Sequence, residues 1–192
     1  MSTQSQASWI SEDDGSHDET IAETWLFRLR RRRFRSVRSG ICHDFYVTEL
    51  ADGVHVIAVT PEDHVILVRQ FRAGSGRDSL ETPGGLLDAG ENPGDAGARE
   101  LLEETGYAGD PPECLGVLRP NPALLSMAIT TVLIRNAHSV SEPNPDAAEE
   151  LAIELVPKAE ILAMIQDGRI DHAACVAGLL QWQFMDRQET RA

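Results

Sequence analysis

Glu100, Glu103 and Glu104 stand at i, i+3 and i+4, a spacing that gathers three carboxylates on one face of a helix. Like charges so placed destabilise a helix by roughly 0.2–0.5 kcal/mol per pair, and the helix dipole adds a similar penalty toward the C-terminal end. One reading is a solvated acidic face partly relieved by Arg99. The other is neutralisation by a bound cation. Gly84, Gly85, Gly90 and Glu91 lie just upstream, and glycines let the backbone approach a ligand closely. Carboxylate and carbonyl oxygens suit hard cations, Mg²⁺ or Mn²⁺, and Mg²⁺ commonly shares its shell with substrate phosphates. The chemistry such a cluster supports is cation-assisted attack on a phosphate ester or anhydride.

The helix that must carry these residues is well marked. Asn92 is a good N-cap, Pro93 fits the first helical position, and Gly106 fits the left-handed position past the end. Ala98, Leu101, Leu102 and Thr105 are expected to form its buried face. Strands are expected at Asp44–Leu50, Val54–Val59, Val65–Val68, Glu113–Val117, Ile129–Ile134 and Leu151–Val156. Thr60-Pro61-Glu62-Asp63 reads as a turn. Two helices close the chain, one over Lys158–Asp167 and one from an Asp171 N-cap to Asp186. This irregular alternation predicts an α/β fold with a mixed sheet.

The chain has 192 residues, enough for one ordinary domain and a modest extension. A net charge of −14 argues against general nucleic-acid binding. No apolar run approaches the roughly 18 residues of a membrane-spanning helix, and no basic-then-apolar leader opens the chain. Cys42, Cys114 and Cys175 are scattered, with neither a disulfide framework nor a metal spacing. They read as small buried residues or inert thiols in a reducing cytoplasm. Residues 1–20 read as a disordered acidic tail, 21–52 as a small N-terminal β extension, and 53–192 as the main domain. Arg28, Arg30, Arg31, Arg32, Arg33, Arg35 and Arg38 form a basic block. A polyanion contact is one account of it; a charged edge strand that resists aggregation is the favoured one.

The segment from residue 85 to residue 107 resembles the Nudix box. That pattern is glycine, five residues, glutamate, seven residues, Arg-Glu, an aliphatic residue, any residue, Glu-Glu, any residue, glycine and a bulky apolar residue. Gly85, Glu91, Arg99, Glu100, Leu101, Glu103, Glu104, Gly106 and Tyr107 fill it. The flanks Val68-Arg69-Gln70-Phe71-Arg72 and Glu81-Thr82-Pro83-Gly84-Gly85 are similar to the ADP-ribose and nucleoside-diphosphate-sugar pyrophosphatase branch. So is Pro122, at fifteen residues past the box. The likeness covers roughly residues 44–157. The stretch after Pro122 reads Ala-Leu-Leu-Ser, without the glycine-and-acid run of many ADP-ribose enzymes, and leaves a hexose open as the sugar.

The resemblance implies a Nudix-type α/β/α sandwich and Mg²⁺, with Mn²⁺ as a substitute. It implies hydrolysis of a nucleoside-diphosphate sugar to a nucleoside monophosphate and a sugar phosphate. Gly84 (through its carbonyl), Glu100, Glu103 and Glu104 are the implied metal ligands, with Arg99 orienting the glutamates and Glu91 tying the loop to the helix. Arg72, Glu81 and Pro122 are the implied substrate contacts. Glu149 is the first choice of general base, deprotonating the water that attacks one phosphorus. A homodimer is implied, with the segment before residue 60 as its arm. Two alternatives stay open: a Nudix enzyme for dinucleoside polyphosphates or nucleotides, and a non-catalytic module that senses a nucleotide-sugar.

Overall fold

The computed structural model of the chain describes residues 8–11, 18–145 and 150–189. Its residues group into two compact units, one comprising the chain up to Ala51 with Asn121–Met127, the other Asp52–Pro120 with Ala128 onward.

The first unit is a four-stranded antiparallel sheet of β1 (Trp9–Ser11), β2 (Glu19–Glu23), β3 (Arg28–Ser36) and β4 (Cys42–Glu49). β3 is its spine. β4 pairs along one edge, while β1 and β2 pair with its C-terminal and N-terminal halves respectively. Residues 1–20, expected to lack structure, thus contain β1 and the start of β2. The cause is local, because Trp9 packs edge-on against His43 and Phe45, at ring separations of 5.5 and 5.2 Å. The arginine block, apart from Arg38, lies along β3 with acids beside it. Arg28 pairs with Glu23, Arg30 with Asp18, Arg31 with Glu19, and Arg33 lies 3.8 Å from Asp44. The expected edge strand is instead the central one: β3 is paired on both sides, so its arginines are balanced by neighbouring acids and do not guard an open edge.

The second unit is built on a seven-stranded mixed sheet: β5 (Gly53–Val59), β6 (His64–Arg72), β7 (Arg77–Glu81), β8 (Gly84–Leu86), β10 (Glu113–Leu118), β11 (Ile129–Ile134) and β13 (Leu151–Pro157). Its main path runs β10-β11-β5-β6-β13. β11 and β5 are parallel and the other pairs antiparallel. β5 and β6 pair directly only at Ala58–Val59 with Val65–Ile66, then part; β8 takes the free half of β5 and β7 that of β6. β9 (Tyr107–Ala108) and β12 (His138–Ser139) form a separate two-stranded ribbon.

Alternation along β5 sorts the core into two layers. Val54, Val56 and Ala58 pack with Ala96 and Leu101 of helix α1 (Pro93–Thr105). Ile57 and Val59 pack with Ile161 and Met164 of α2 (Ile161–Gln166) and with Leu179 and Trp182 of α3 (Ala173–Glu189). The unit is therefore a helix–sheet–helix sandwich, as expected. A single turn of 3-10 helix, Lys158–Glu160, precedes α2 where one continuous helix was expected. His172, not Asp171, occupies the position before α3: its Nδ1 accepts the Cys175 amide at 3.4 Å, while Asp171 pairs with Arg77. Among the described residues, no helix is long and apolar enough to cross a membrane.

Candidate active site

Helix α1 is fixed at both ends as its sequence dictates. The Asn92 side chain accepts the Gly94 amide at 2.8 Å, Pro93 follows, and Gly106 closes the helix with φ of 73° and an amide bond to the Leu102 carbonyl. Its buried face differs from the expected one. Leu102 is exposed, whereas Gly97, Leu101, Glu104 and Thr105 are buried. These four follow i, i+4, i+7 and i+8, so the stripe turns toward the sheet and carries one carboxylate inward.

That carboxylate, Glu104, is only 2% exposed, and its Oε2 accepts the Gly84 amide at 3.0 Å. Gly84 lies in β8, paired with His55, and a Cβ there would sit 2.2 Å from the Val54 carbonyl oxygen. Next to it, a Cβ on Gly85 would meet the Glu100 carboxylate at 2.4 Å. Gly84 is therefore required by a neighbouring strand, while Gly85 leaves room for an acidic side chain.

Arg99 ties the rest of the acidic face together. Its guanidinium donates to both Glu91 oxygens at 3.0 and 3.1 Å, to Glu100 Oε1 at 2.9 Å and to Glu103 Oε2 at 3.0 Å. The Glu91 hydrogen bonds, with lesser help from Glu100 and Glu103, hold Arg99 well above its ordinary pKa against the opposing effect of burial. The same bond, seconded by the Asp88 amide, holds Glu91 below the usual carboxylate range. Glu100 and Glu103 thus lean on Arg99 while Glu104 turns to the Gly84 amide. Arg99 serves three of these carboxylates, and the charge of Arg72 reaches the fourth, Glu104. The donor set is all oxygen, which fits a hard divalent cation, and the missing Cβ at Gly85 leaves Glu100 room beside the backbone.

Arg72, the last residue of β6, and Glu81, the last of the antiparallel β7, form a forked pair, with Nε to Oε1 at 3.0 Å and Nη2 to Oε2 at 2.7 Å. The Glu81 side chain is 3% exposed and that of Arg72 45%. Burial alone would raise the Glu81 pKa, but the Arg72 hydrogen bonds and charge outweigh it and leave the carboxyl below its ordinary value. The outer edge of Arg72 faces solvent. Pro122 lies in the exposed Asn121–Met127 segment, which belongs to the first unit. Glu149 lies outside the described residues.

Behind Glu81 is a buried polar chain that sequence reasoning did not single out. His55, 5% exposed, contacts Thr82 Oγ1 through Nδ1 at 2.9 Å and Thr131 Oγ1 through Nε2 at 2.7 Å. The Thr82 hydroxyl donates to Cys175 Sγ at 3.2 Å, so the proton between His55 and Thr82 is assigned to Nδ1. Burial, with a lesser contribution from His172, lowers the His55 pKa to about 4. Burial likewise pushes the Cys175 thiol up to about 11. The one available signal was that His55, on the inward face of a strand, breaks an otherwise apolar run. A separate open recess of about 450 Å³, lined by Thr60, His64, Tyr107, His138 and Leu155 among others, contains none of the box glutamates.

A family model described as the NUDIX domain matches residues 49–179. The ADP-ribose pyrophosphatase of Mycobacterium tuberculosis is 30% identical over 164 residues, 84% of this chain and 79% of that protein. The ADP-ribose pyrophosphatase of Bacillus subtilis is 34% identical over 154 residues, 72% of this chain and 77% of that one. The ADP-sugar pyrophosphatase of Mus musculus is 37% identical over 124 residues, 60% of this chain but only 57% of its own length. A crystal structure of an ADP compounds hydrolase superposes with a TM-score of 0.83 at 22% identity, covering 99% of this chain and 100% of that one.

Proposed function

This chain belongs to the NUDIX family, and from that premise we propose that it hydrolyses the diphosphate bond of an ADP-sugar, ADP-ribose foremost, to AMP and a sugar phosphate. The observation that carries the proposal is the acidic face of α1, where Arg99 organises Glu91, Glu100 and Glu103 beside the buried Glu104. The names of the bacterial and mouse relatives support the substrate class.

Glu100, Glu103 and Glu104, with the Gly84 carbonyl, would hold the divalent cation, Mg²⁺ by hardness and Mn²⁺ as a substitute. Such a cation, when bound, neutralises phosphate charge and activates water at neutral pH. The chain supplies the positioning. Arg99 orients Glu100 and Glu103. The Gly84 amide fixes one Glu104 oxygen. Arg72, anchored by Glu81, offers its exposed edge to the diphosphate. Glu149 is the proposed acceptor of the water proton.

The proposal extends to a homodimer in a reducing cytoplasm. Exposed apolar residues of the first unit, Ile10, Trp25 and Tyr46 among them, support the dimer, Trp25 being 93% exposed. None of the three cysteines is in a disulfide, which supports the compartment.

The test is a panel of ADP-ribose, several nucleoside-diphosphate hexoses and dinucleoside polyphosphates, with Mg²⁺ or Mn²⁺ and products resolved by mass. AMP and ribose 5-phosphate from ADP-ribose are expected, with a loss of more than about 100-fold in Glu104→Gln, beyond the range typical of residues that only support a ligand. Preference for a dinucleoside polyphosphate, or full turnover in Glu104→Gln, would sink the proposal.

A further inference from the structure

Among the described residues, Glu81, His172 and Cys175 place a carboxylate oxygen, an imidazole nitrogen and a thiol sulfur all within 4.8 Å of one another. Glu81 ends β7. His172 and Cys175 sit three residues apart at the start of α3, a spacing that brings both to one side of the helix. His172 Nδ1 is 3.2 Å from Cys175 Sγ. In a tetrahedral zinc site, sulfur at about 2.3 Å and nitrogen at about 2.1 Å from the ion lie about 3.6 Å apart. The observed pair is within a few tenths of an ångström of that edge, and a small rotation of His172, the partly exposed member, closes the difference.

The donor types decide which cation fits. Sulfur, imidazole nitrogen and a single carboxylate suit a borderline ion such as Zn²⁺, whereas the all-oxygen face of α1 suits Mg²⁺. The outer partners of the cluster are already in place. The Thr82 hydroxyl donates to the sulfur, His55 fixes Thr82, and Arg72 holds Glu81. Hydrogen bonds of this kind orient ligands in metal sites.

We propose that Glu81, His172 and Cys175 form a second metal site, selective for Zn²⁺ and similar borderline cations and separate from the hard-cation site on α1. Binding replaces the Cys175 thiol proton, which leaves to solvent on the His172 side. Three protein ligands leave the fourth tetrahedral position open. Because Glu81 also anchors Arg72, occupancy draws on the carboxylate that positions the diphosphate-binding guanidinium.

The experiment is a Co²⁺ titration of the full-length chain carrying Cys42→Ser and Cys114→Ser, in excess Mg²⁺, read by absorption. A near-ultraviolet thiolate-to-cobalt band that saturates at one equivalent and is displaced by Zn²⁺ is expected. The band should disappear in Cys175→Ser, and cobalt affinity should fall tenfold or more in His172→Ala. The cobalt-filled face of α1 gives no such band, since it offers no sulfur. Absence of the band in the parent protein overturns the proposal whatever the variants do. Unchanged cobalt affinity in His172→Ala overturns it even where Cys175→Ser fails to fold.

Discussion

The Gly84 amide donates to Glu104 Oε2 at 3.0 Å, joining β8 to the last turn of α1 across twenty positions of sequence. A backbone donor thus holds a buried carboxylate in place, and that carboxylate has a fixed orientation before any ligand arrives. The neighbouring glycine does something different, and the two can be separated.

Gly84→Ala drives a Cβ to 2.2 Å from a strand carbonyl, which cannot move without its sheet. Overpacking of this kind costs about 1–3 kcal/mol, to be seen as a lower urea midpoint. Gly85→Ala meets only the Glu100 carboxylate, the far end of a flexible side chain. Its urea midpoint should change little, while hydrolysis falls by roughly 10–100-fold through the displaced ligand. Equal unfolding midpoints for the two variants would contradict this assignment.

Arg99→Lys retains the charge but loses the fork that reaches Glu91, Glu100 and Glu103 together. The activating-metal concentration for half-maximal rate should rise by about tenfold or more, with smaller effects on folding. A lysine variant indistinguishable from the parent in a Mg²⁺ titration would show that charge alone matters there.

Arg72→Ala leaves Glu81 buried without its forked partner. Stability should fall by about 1–3 kcal/mol, the cost of leaving one buried group without its hydrogen bonds, since Arg72 itself is half-exposed. At temperatures where the variant stays folded, KM for the nucleotide should rise more than kcat falls, because the proposed contact is with the unreacted diphosphate as well as the transition state. A pure kcat effect would place Arg72 elsewhere in the mechanism.

His55 gives a pH signature. Its folded pKa, lowered to about 4 from 6.5, means the unfolded chain takes up a proton between those values and the folded one does not. The stabilisation is therefore complete above pH 6.5 and is lost as pH falls toward 4. The full difference amounts to roughly 3 kcal/mol at 1.36 kcal/mol per unit. Urea unfolding at pH 7, 6 and 5 should show the decline in the parent and a flatter profile in His55→Gln. Parallel profiles would remove His55 as its source.

Helix α1 was legible from sequence because its ends depend on local chemistry: an Asn92 cap, Pro93, and Gly106 in a left-handed turn. The Ile129–Ile134 strand was legible too, being a run of β-branched residues broken only by Leu133. The rotation of α1 was not. Leu102 is more apolar than Glu104, yet Glu104 faces inward because a distant amide on Gly84 compensates it. Asp171 looked like the better cap for α3, but Arg77, from another strand, claims its carboxylate. The His55–Thr82–Cys175 chain draws on β5, the β7–β8 connection and α3, so no local spacing announces it. What depended on neighbours in sequence could be read; what depended on neighbours across the sheet could not.

The edge of β6 opposite β5 is closed by β13, and Arg69 bonds to Glu154 from 85 positions away. A chain still emerging from the ribosome therefore holds Val65–Val68 with one row of backbone amides and carbonyls unpaired until residue 151 and beyond have been made. Closing so long a loop is entropically slow, and an apolar strand with an open edge is the species most prone to pair with another chain. The strand that carries Arg72 is thus also the one whose apolar edge a chain ending before residue 151 would leave open.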